Sequence, residues 1–402
     1  MIGPVMPCAE KGRRAAAHDS EGCANATLIR ETGMKWFGRK SAGRDGARPA
    51  LAQGGSITSL GEWPRSYEAQ VREGYCHNPV AQRAVKLVSE SVGSAPLVAS
   101  DPALAALATA RSSGQVLTEA LAAQLLLHGN AWVQILTDSE GMVRELFALR
   151  PERMTVEADA SGWPVAYRYR VGAHVNRLTA EDAAGRPAVA HIRTFNPVDD
   201  HYGLGCLGAA AGAVAIHNAA TRWNKALLDN AARPSGALVY DVGDGGVLSP
   251  DQFARVKGEL EAGFAGAANA GRPMLLEGGL KWQAMSMTPA DMDFVGLKAA
   301  AAREIALAFG VPPMLMGLPG DAAYANYREA NRALWRLAIL PIAGNILAGL
   351  SQALRGWFPD ASLAIDLDQV PALAEDRERL WRQVSAADFL SDDEKRAMVG
   401  LS

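Results

Sequence analysis

The 402-residue chain has little cysteine, little histidine, almost no net charge and few charge-free runs long enough to matter for a membrane. Its four cysteines, Cys8, Cys23, Cys76 and Cys206, stand far apart with no CxxC pair, and the seven histidines are scattered. No donor set for zinc follows from them, and they fit a reducing compartment as small buried residues. A formal net charge of −3 excludes the bulk basic footprint that grips nucleic acid. The first 33 residues are rich in Ala, Gly, Arg and Glu and lack the apolar core of a signal peptide. Leu337 to Leu354, between Arg336 and Arg355, has the minimal length of a membrane span. Pro341, Asn345, Ser351 and Gln352 interrupt it and no second strong segment accompanies it, so it reads as a buried core helix. The expectation is no membrane partner, with a peripheral membrane or pore protein as the alternative that this segment would serve. Tyr202 to Thr221 is also uncharged with His217 neutral, but it is mostly Ala and Gly and too weakly apolar for lipid.

Patterns that carry chemistry are as scarce. Gly203-Leu204-Gly205-Cys206-Leu207-Gly208 matches GxGxxG and opens a helix, which makes a nucleotide-binding oxidoreductase the other alternative. Asn196 to Tyr202 separate it from the preceding strand, and the acidic residue at the tip of a second parallel strand is missing. Gly33 to Ser41 resembles a P-loop but has Arg39 in the lysine position. His191 and His201 lie near Asp199 and Asp200 in sequence, without a nucleophile; His191 reads as a structural residue in a strand and His201 as a turn residue. Asp291 and Asp293 fall on different faces of a helix. The expectation is no catalytic residue, no cofactor and no metal.

What is present is apolar and periodic. With 49% apolar residues the chain is long enough for two or three cores. Met34-Lys35-Trp36 reads as a natural start, so residues 1–33 are expected to be an upstream extension or disordered arm and 34–66 a flexible segment. Asn78 and Pro79 open a helix with Val80, Ala84, Leu87 or Val88, and Val92 inward. A second helix is expected from Thr118 to Leu127. Strands follow at 131–137, 142–149, 153–157, 164–171 and 188–195, and Val165, Tyr167, Tyr169 and Val171 alternate as in a half-buried strand. An antiparallel meander with helices at one end is an α+β layer. A long Ala-rich helix, 206–232, carries Ile216, Ala220, Trp223 and Leu227 on one stripe. Between it and the helix of 288–310 lies an insert with strands at 236–242, 273–277 and 281–285 and a helix from Pro250 capped by Ser249. The rest, 327–358 and 377–399, is helical, with a strand at 362–367.

The helix of 288–310 has Thr288 and Pro289 at its start and a stripe of Met292, Val295, Ala299, Ala302, Ile305 and Phe309. Gly310 stops it, and Pro312 and Pro313 prevent its resumption because two residues lack an amide donor. The loop from Pro313 to Asn326 contains Met314, Leu315, Met316, Gly317, Leu318, Pro319 and Gly320, an apolar set suited to a lid, ligand or subunit contact. Arg328, Arg332 and Arg336 form a charged stripe beyond it, read first as a subunit salt bridge or a solvated face and second as a phosphate contact.

The segment Glu304 to Gly317, EIALAFGVPPMLMG, resembles the hallmark of HK97-type tailed-phage portal proteins. The same order and spacing are kept by Asn78-Pro79-Val80, Gly129-Asn130-Ala131-Trp132-Val133, His191-Ile192-Arg193, Gly203-Leu204-Gly205, Asn230 to Gly236, Leu248 to Gln252 and Tyr324 to Tyr327. The likeness covers about 67–358. It implies an α+β portal fold with a wing (67–206), stem helices (207–231 and 288–310), a small α/β clip (232–287), a tunnel loop (311–326) and wing or crown helices (327–402). It further implies a homododecameric ring at one capsid vertex, assembled in the bacterial host cytoplasm, that passes double-stranded DNA nonspecifically during packaging and ejection. The large terminase subunit, the major capsid protein and the head–tail connector or adaptor are the implied partners, with Arg233, Pro234, Ser235 and Gly236 as clip contacts. Met314, Leu315, Met316, Gly317, Leu318, Pro319, Gly320, Asp321, Tyr324 and Asn326 would face DNA, and Gly310, Pro312 and Pro313 would orient the loop. Phage, prophage and gene transfer agent all use this type of portal.

Overall fold

The computed structural model describes residues 51, 66–229, 236–240, 248–264, 280–284, 293–318 and 324–400. The expectations for 1–33 and nearly all of 34–66, Arg233 to Ser235, the strand at 273–277, the cap at Thr288, Met292 and Pro319 to Asp321 lie outside the described residues.

Ser66 caps α1 (Tyr67–Val71), which passes through a π-helical turn, Arg72–Cys76, toward α2 (Pro79–Gly93). Asn78 caps α2 as expected, its Oδ1 accepting from the amides of Val80 (3.1 Å) and Ala81 (3.0 Å), and Pro79 loses no bond in the first turn. Next come β1 (Leu97–Ala99), α3 (Pro102–Thr109), the short hairpin of β2 (Arg111–Ser112) with β3 (Gln115–Val116), and α4 (Leu117–His128). α3 was not foreseen, although Asp101 caps it and Pro102 occupies its first turn. α4 ends on Gly129 at φ 79°, a left-handed cap that favours glycine.

The sheet region divides where one meander was expected. β4 (Asn130–Thr137), β5 (Val143–Leu149), β6 (Met154–Ala158), β7 (Pro164–Val171), β8 (His174–Thr179) and β9 (Val189–Arg193) form two three-stranded antiparallel sheets, β5-β4-β9 and β6-β7-β8. β9 returns to the free edge of β4, Trp132 opposite His191, instead of extending the meander. Every pairing among the described residues is antiparallel. The doubly wound parallel sheet that an oxidoreductase reading of Gly203 to Gly208 requires is therefore overturned. Within β7, Tyr167 is buried, but Val165 and Val171 are exposed and Ala166 is buried instead. The alternation holds only in the middle of the strand, where the sheet covers the small second core of Trp132, Leu149, Met154, Tyr167 and Val189.

α5 (Cys206–Asp229) is a 24-residue helix. β10 (Gly236–Tyr240) pairs antiparallel with β11 (Leu280–Ala284), and α6 (Pro250–Phe264) lies between them in sequence. The Ser249 hydroxyl accepts from the Gln252 amide while the Gln252 side chain accepts from the Ser249 amide, a reciprocal cap. α7 (Phe294–Ala308) starts later than the expected Thr288, with Asp293 as its cap, Oδ1 accepting from the Gly296 amide (3.1 Å). It packs along α5, with Trp223 stacked on Phe294 at 4.0 Å. Ala302, Ile305 and Phe309 are buried as expected, whereas Val295 is 83% exposed. Ile216 is likewise exposed on α5, whose apolar face turns through Ala213, Val214 and Ala220.

α8 (Tyr324–Leu334) begins three residues ahead of the expected Tyr327 and continues through a π-helical turn, Trp335–Ile339, into α9 (Leu340–Leu354). The wide turn precedes Pro341, which has no amide to donate. The run from Asn326 to Leu354 is long and apolar enough to cross a membrane. Ala343, Ile346, Leu347, Leu350 and Leu354 nevertheless pack into the main core with α2, α4, β4 and β9, the core-helix role expected for them. β12 (Leu363–Ile365) pairs with β1, and α10 (Ala374–Ser385) and α11 (Asp392–Met398) complete the described chain.

Candidate functional site

Three local constructions set where α5 and α7 leave the sheet region and how the chain turns after α7. The first is centred on Asn130, 1% exposed. Its Oδ1 accepts from the Gly203 amide (2.8 Å) and from His191 Nε2 (2.9 Å), and its Nδ2 donates to the Gly203 carbonyl (3.2 Å). A carboxamide oxygen only accepts, so His191 carries its proton on Nε2. His191 also stacks on Trp132 at 3.5 Å, and burial, with Arg193, His128 and His201 nearby, pushes its pKa down to about 3. It is the structural residue that its place in a strand suggested.

Gly203 and Gly205 serve this junction and not a phosphate. A Cβ on Gly203 would sit 2.0 Å from the Gly129 carbonyl oxygen, and one on Gly205 would sit 2.7 Å from that of Leu127. Backbone therefore lies on backbone where α5 begins. His201 is buried beside the turn, its amide bonded to Asp199 Oδ1 at 2.6 Å, and it does not join His191 in a site.

The second construction joins α2, the first π-turn and α5. Asn78 Nδ2 donates to Asn218 Oδ1 (2.9 Å) and lies 3.3 Å from His217 Nδ1, while Asn218 Nδ2 donates to the Glu73 carbonyl (2.9 Å). Burial lowers the His217 pKa, and Lys298 adds to the shift. Sequence reasoning found only the cap in Asn78. Partners 139 and 140 residues away leave no local periodicity to read.

The third is the corner after α7. Gly310 adopts φ 67°, its amide bonding back to Leu307 (3.0 Å) while the Val311 amide reaches Ala306 (2.9 Å). These two bonds close the helix end around a left-handed glycine. Pro312, at φ −57° and ψ 127°, then sends the chain out extended, and Pro313–Met316 form a 3-10 turn that Gly317 ends at φ 71°. Within the loop expected from Pro313 to Asn326, Leu315 and Met316 are partly buried against the main core. They anchor the loop base, and Leu318 leads away from it. Tyr324 and Asn326 fall in the first turn of α8.

Two arginines of the stripe are paired within the chain. Arg328 pairs with Glu375 (2.7 Å), and Arg332 meets Glu375 (2.5 Å), Glu329 (3.1 Å) and Asp376 (3.6 Å), which ties α8 to α10. For these two the expected partner, a neighbouring subunit, is replaced by α10 of the same chain. Among the described residues there is no cluster of His, Cys, Asp and Glu able to hold a metal.

These constructions organise backbone and helix direction, and comparison with known proteins agrees with that character. A chain from the neck of a native gene transfer agent particle, computed with C12 symmetry, is 50% identical. The match covers 85% of this chain and 95% of that one, with a TM-score of 0.65. An uncharacterized protein of Rickettsia felis is 38% identical over 346 residues, 82% of this chain and 88% of its own length. The portal protein of Enterobacteria phage HK97 is 26% identical over 205 residues, 51% of this chain and 45% of the phage protein. The family model for phage portal protein matches residues 79–400, a span holding the Asn130 junction, the Gly310 corner and the α8–α10 bridges, and the chain belongs to that family.

Proposed function

We infer that twelve copies of this chain form a ring at one vertex of a tailed-phage-like particle and that the ring is the conduit through which DNA enters and leaves. The observation that carries this reading is the 50% identity to a chain in a particle neck of C12 symmetry. That identity, against 26% to the HK97 protein, favours a gene-transfer-agent type of particle. The role is structural, with ATP hydrolysis left to a separate motor.

On this reading residues 67–206 are the wing, α5 and α7 the stem, 232–287 the clip and 327–402 the wing or crown helices. The clip, with Arg233 to Gly236, would meet the large terminase subunit during packaging and the head–tail adaptor afterwards, while the wing would meet the major capsid protein. Assembly would take place in the bacterial cytoplasm. The DNA-facing part of the loop narrows to Met314 and Gly317 to Asn326, because Leu315 and Met316 support its base. A channel that lets DNA slide has little use for many phosphate contacts, and the pairing of Arg328 and Arg332 with α10 fits that need.

The test is electron microscopy and native mass measurement of the purified full-length chain. Twelve copies of a 42.5 kDa chain should give rings of about 510 kDa. A stable monomer that never forms rings would overturn the reading.

A further inference from the structure

We propose that the corner after α7 is a socket for a neighbouring copy of this chain, so that ring closure clamps the base of the loop. This rests on the ring reading above and specifies which surface makes the contact.

The socket is a groove of about 470 Å³ whose apolar walls are Leu307, Val311, Pro312, Pro313, Ala333 and Leu337, with Arg303 and Glu304 at its rim. Leu307 is 78% exposed and Leu337 is 76% exposed in the single chain. Two large side chains left in water on facing helices mark a surface that association covers. Beyond the groove an exposed seam runs along α7. Leu297, Ala300, Glu304 and Leu307 are all exposed and recur at three- and four-residue spacing, while Ala301, Ala302, Ile305 and Ala306 on the other side are buried in the chain's own core. A helix apolar on two faces is built to be covered on both. The exposed seam has the spacing by which helices pack together.

The chemistry of the lining selects the occupant. DNA offers phosphates, which seek cations, whereas here one Arg stands beside one Glu above an apolar floor. In a closed ring each copy meets a neighbour on two different flanks through a heterologous interface, so a second copy is at hand to cover such a seam. The same Gly310, Val311, Pro312 and Pro313 that direct the loop also line the groove. Filling it from the next subunit would hold that backbone in place.

The experiment uses the full-length chain and two variants, Leu307→Asp and Leu337→Asp, with native mass, circular dichroism and melting as readouts. Loss of the twelve-copy species in both, with an unchanged spectrum and melting of the remaining monomer, is the expected result. Wild-type stoichiometry in both variants would overturn the socket and leave the ring reading standing, and so would intact rings that lose only a protein partner. Absence of rings from the wild type would defeat the ring reading itself. Should the aspartate variants fail to fold, Leu337→Cys decides the matter by maleimide labelling above the wild-type background, which includes the exposed Cys76. Labelling in rings should be slower than in the separated monomer by about tenfold, as for a site reached only by local opening. Equal rates would overturn the proposal.

Discussion

At the scale of single residues, Asn130 bonds to Gly203, His191 and His128 and, at 1% exposure, has almost no water to replace them. Truncation to Ala leaves the Gly203 amide and His191 Nε2 without their acceptor in a buried place. Each orphaned donor costs about 1–3 kcal/mol, so the loss of an acceptor for two donors in Asn130→Ala should lower stability by about 2–6 kcal/mol in urea unfolding at fixed protomer concentration. A change under about 0.5 kcal/mol, the usual size at an unimportant surface position, would show that the junction is not held by this side chain. His191 adds a pH dependence whose sign follows from its burial. Its folded pKa, about 3, lies below the unfolded value of about 6.5. The unfolded chain therefore binds the proton first as pH falls, and stability present above pH about 6.5 is lost progressively down to about 3. Urea midpoints should fall between about pH 7 and pH 4.5, and His191→Gln should flatten that slope even though it lowers the midpoint at pH 7. An unchanged slope in the variant would assign the acid sensitivity elsewhere, with the half-buried His128 and the buried His217, both lowered by desolvation, next in line.

At the scale of elements, the corner after α7 allows a comparison between two glycines in the same left-handed conformation. Gly310 at φ 67° would bring a new Cβ to 3.3 Å from Ala338 Cβ, while Gly317 at φ 71° has nothing within 4 Å. Backbone strain alone costs about 1–2 kcal/mol, so Gly317→Ala should lose about 1 kcal/mol and Gly310→Ala more. Equal losses in thermal unfolding would mean that the π-helical turn carrying Ala338 yields without resistance. The corner itself was legible, since glycine followed by two prolines has few conformations open to it. Boundaries and faces were less so. Val295 and Leu307 have the composition of core residues but face outward, because an apolar pattern states that a side is to be covered and not by which chain. The split of the expected meander has a similar origin. Hairpins such as β4–β5 and β6–β7 follow from nearby turns, whereas β9 reaches β4 across more than fifty residues, and no turn between them specifies that edge.

At the scale of the whole molecule, the proposed ring should form without the tip of the loop. Leu315 and Met316 contribute to the core, so a deletion that tests the loop should start beyond Gly317. Removing 318–323 should leave the twelve-copy ring intact and impair packaging or retention of DNA, read as filled against empty particles by density centrifugation. Loss of ring assembly from that deletion would identify the loop tip as chiefly a subunit contact. The sequence by itself determined the α+β class, the helix caps at Asn78 and Ser249, the corner at Gly310 and, through an ordered set of short motifs, the portal resemblance. All of these depend on residues within a few positions of one another, where spacing is enough. Only the tertiary structure decided that Asn130, His191 and Gly203 meet at the start of α5, that Asn78 locks to Asn218, and that Arg332 belongs to α10. Those contacts join residues many tens of positions apart, and their side chains carry no sign of a partner until the chain is folded.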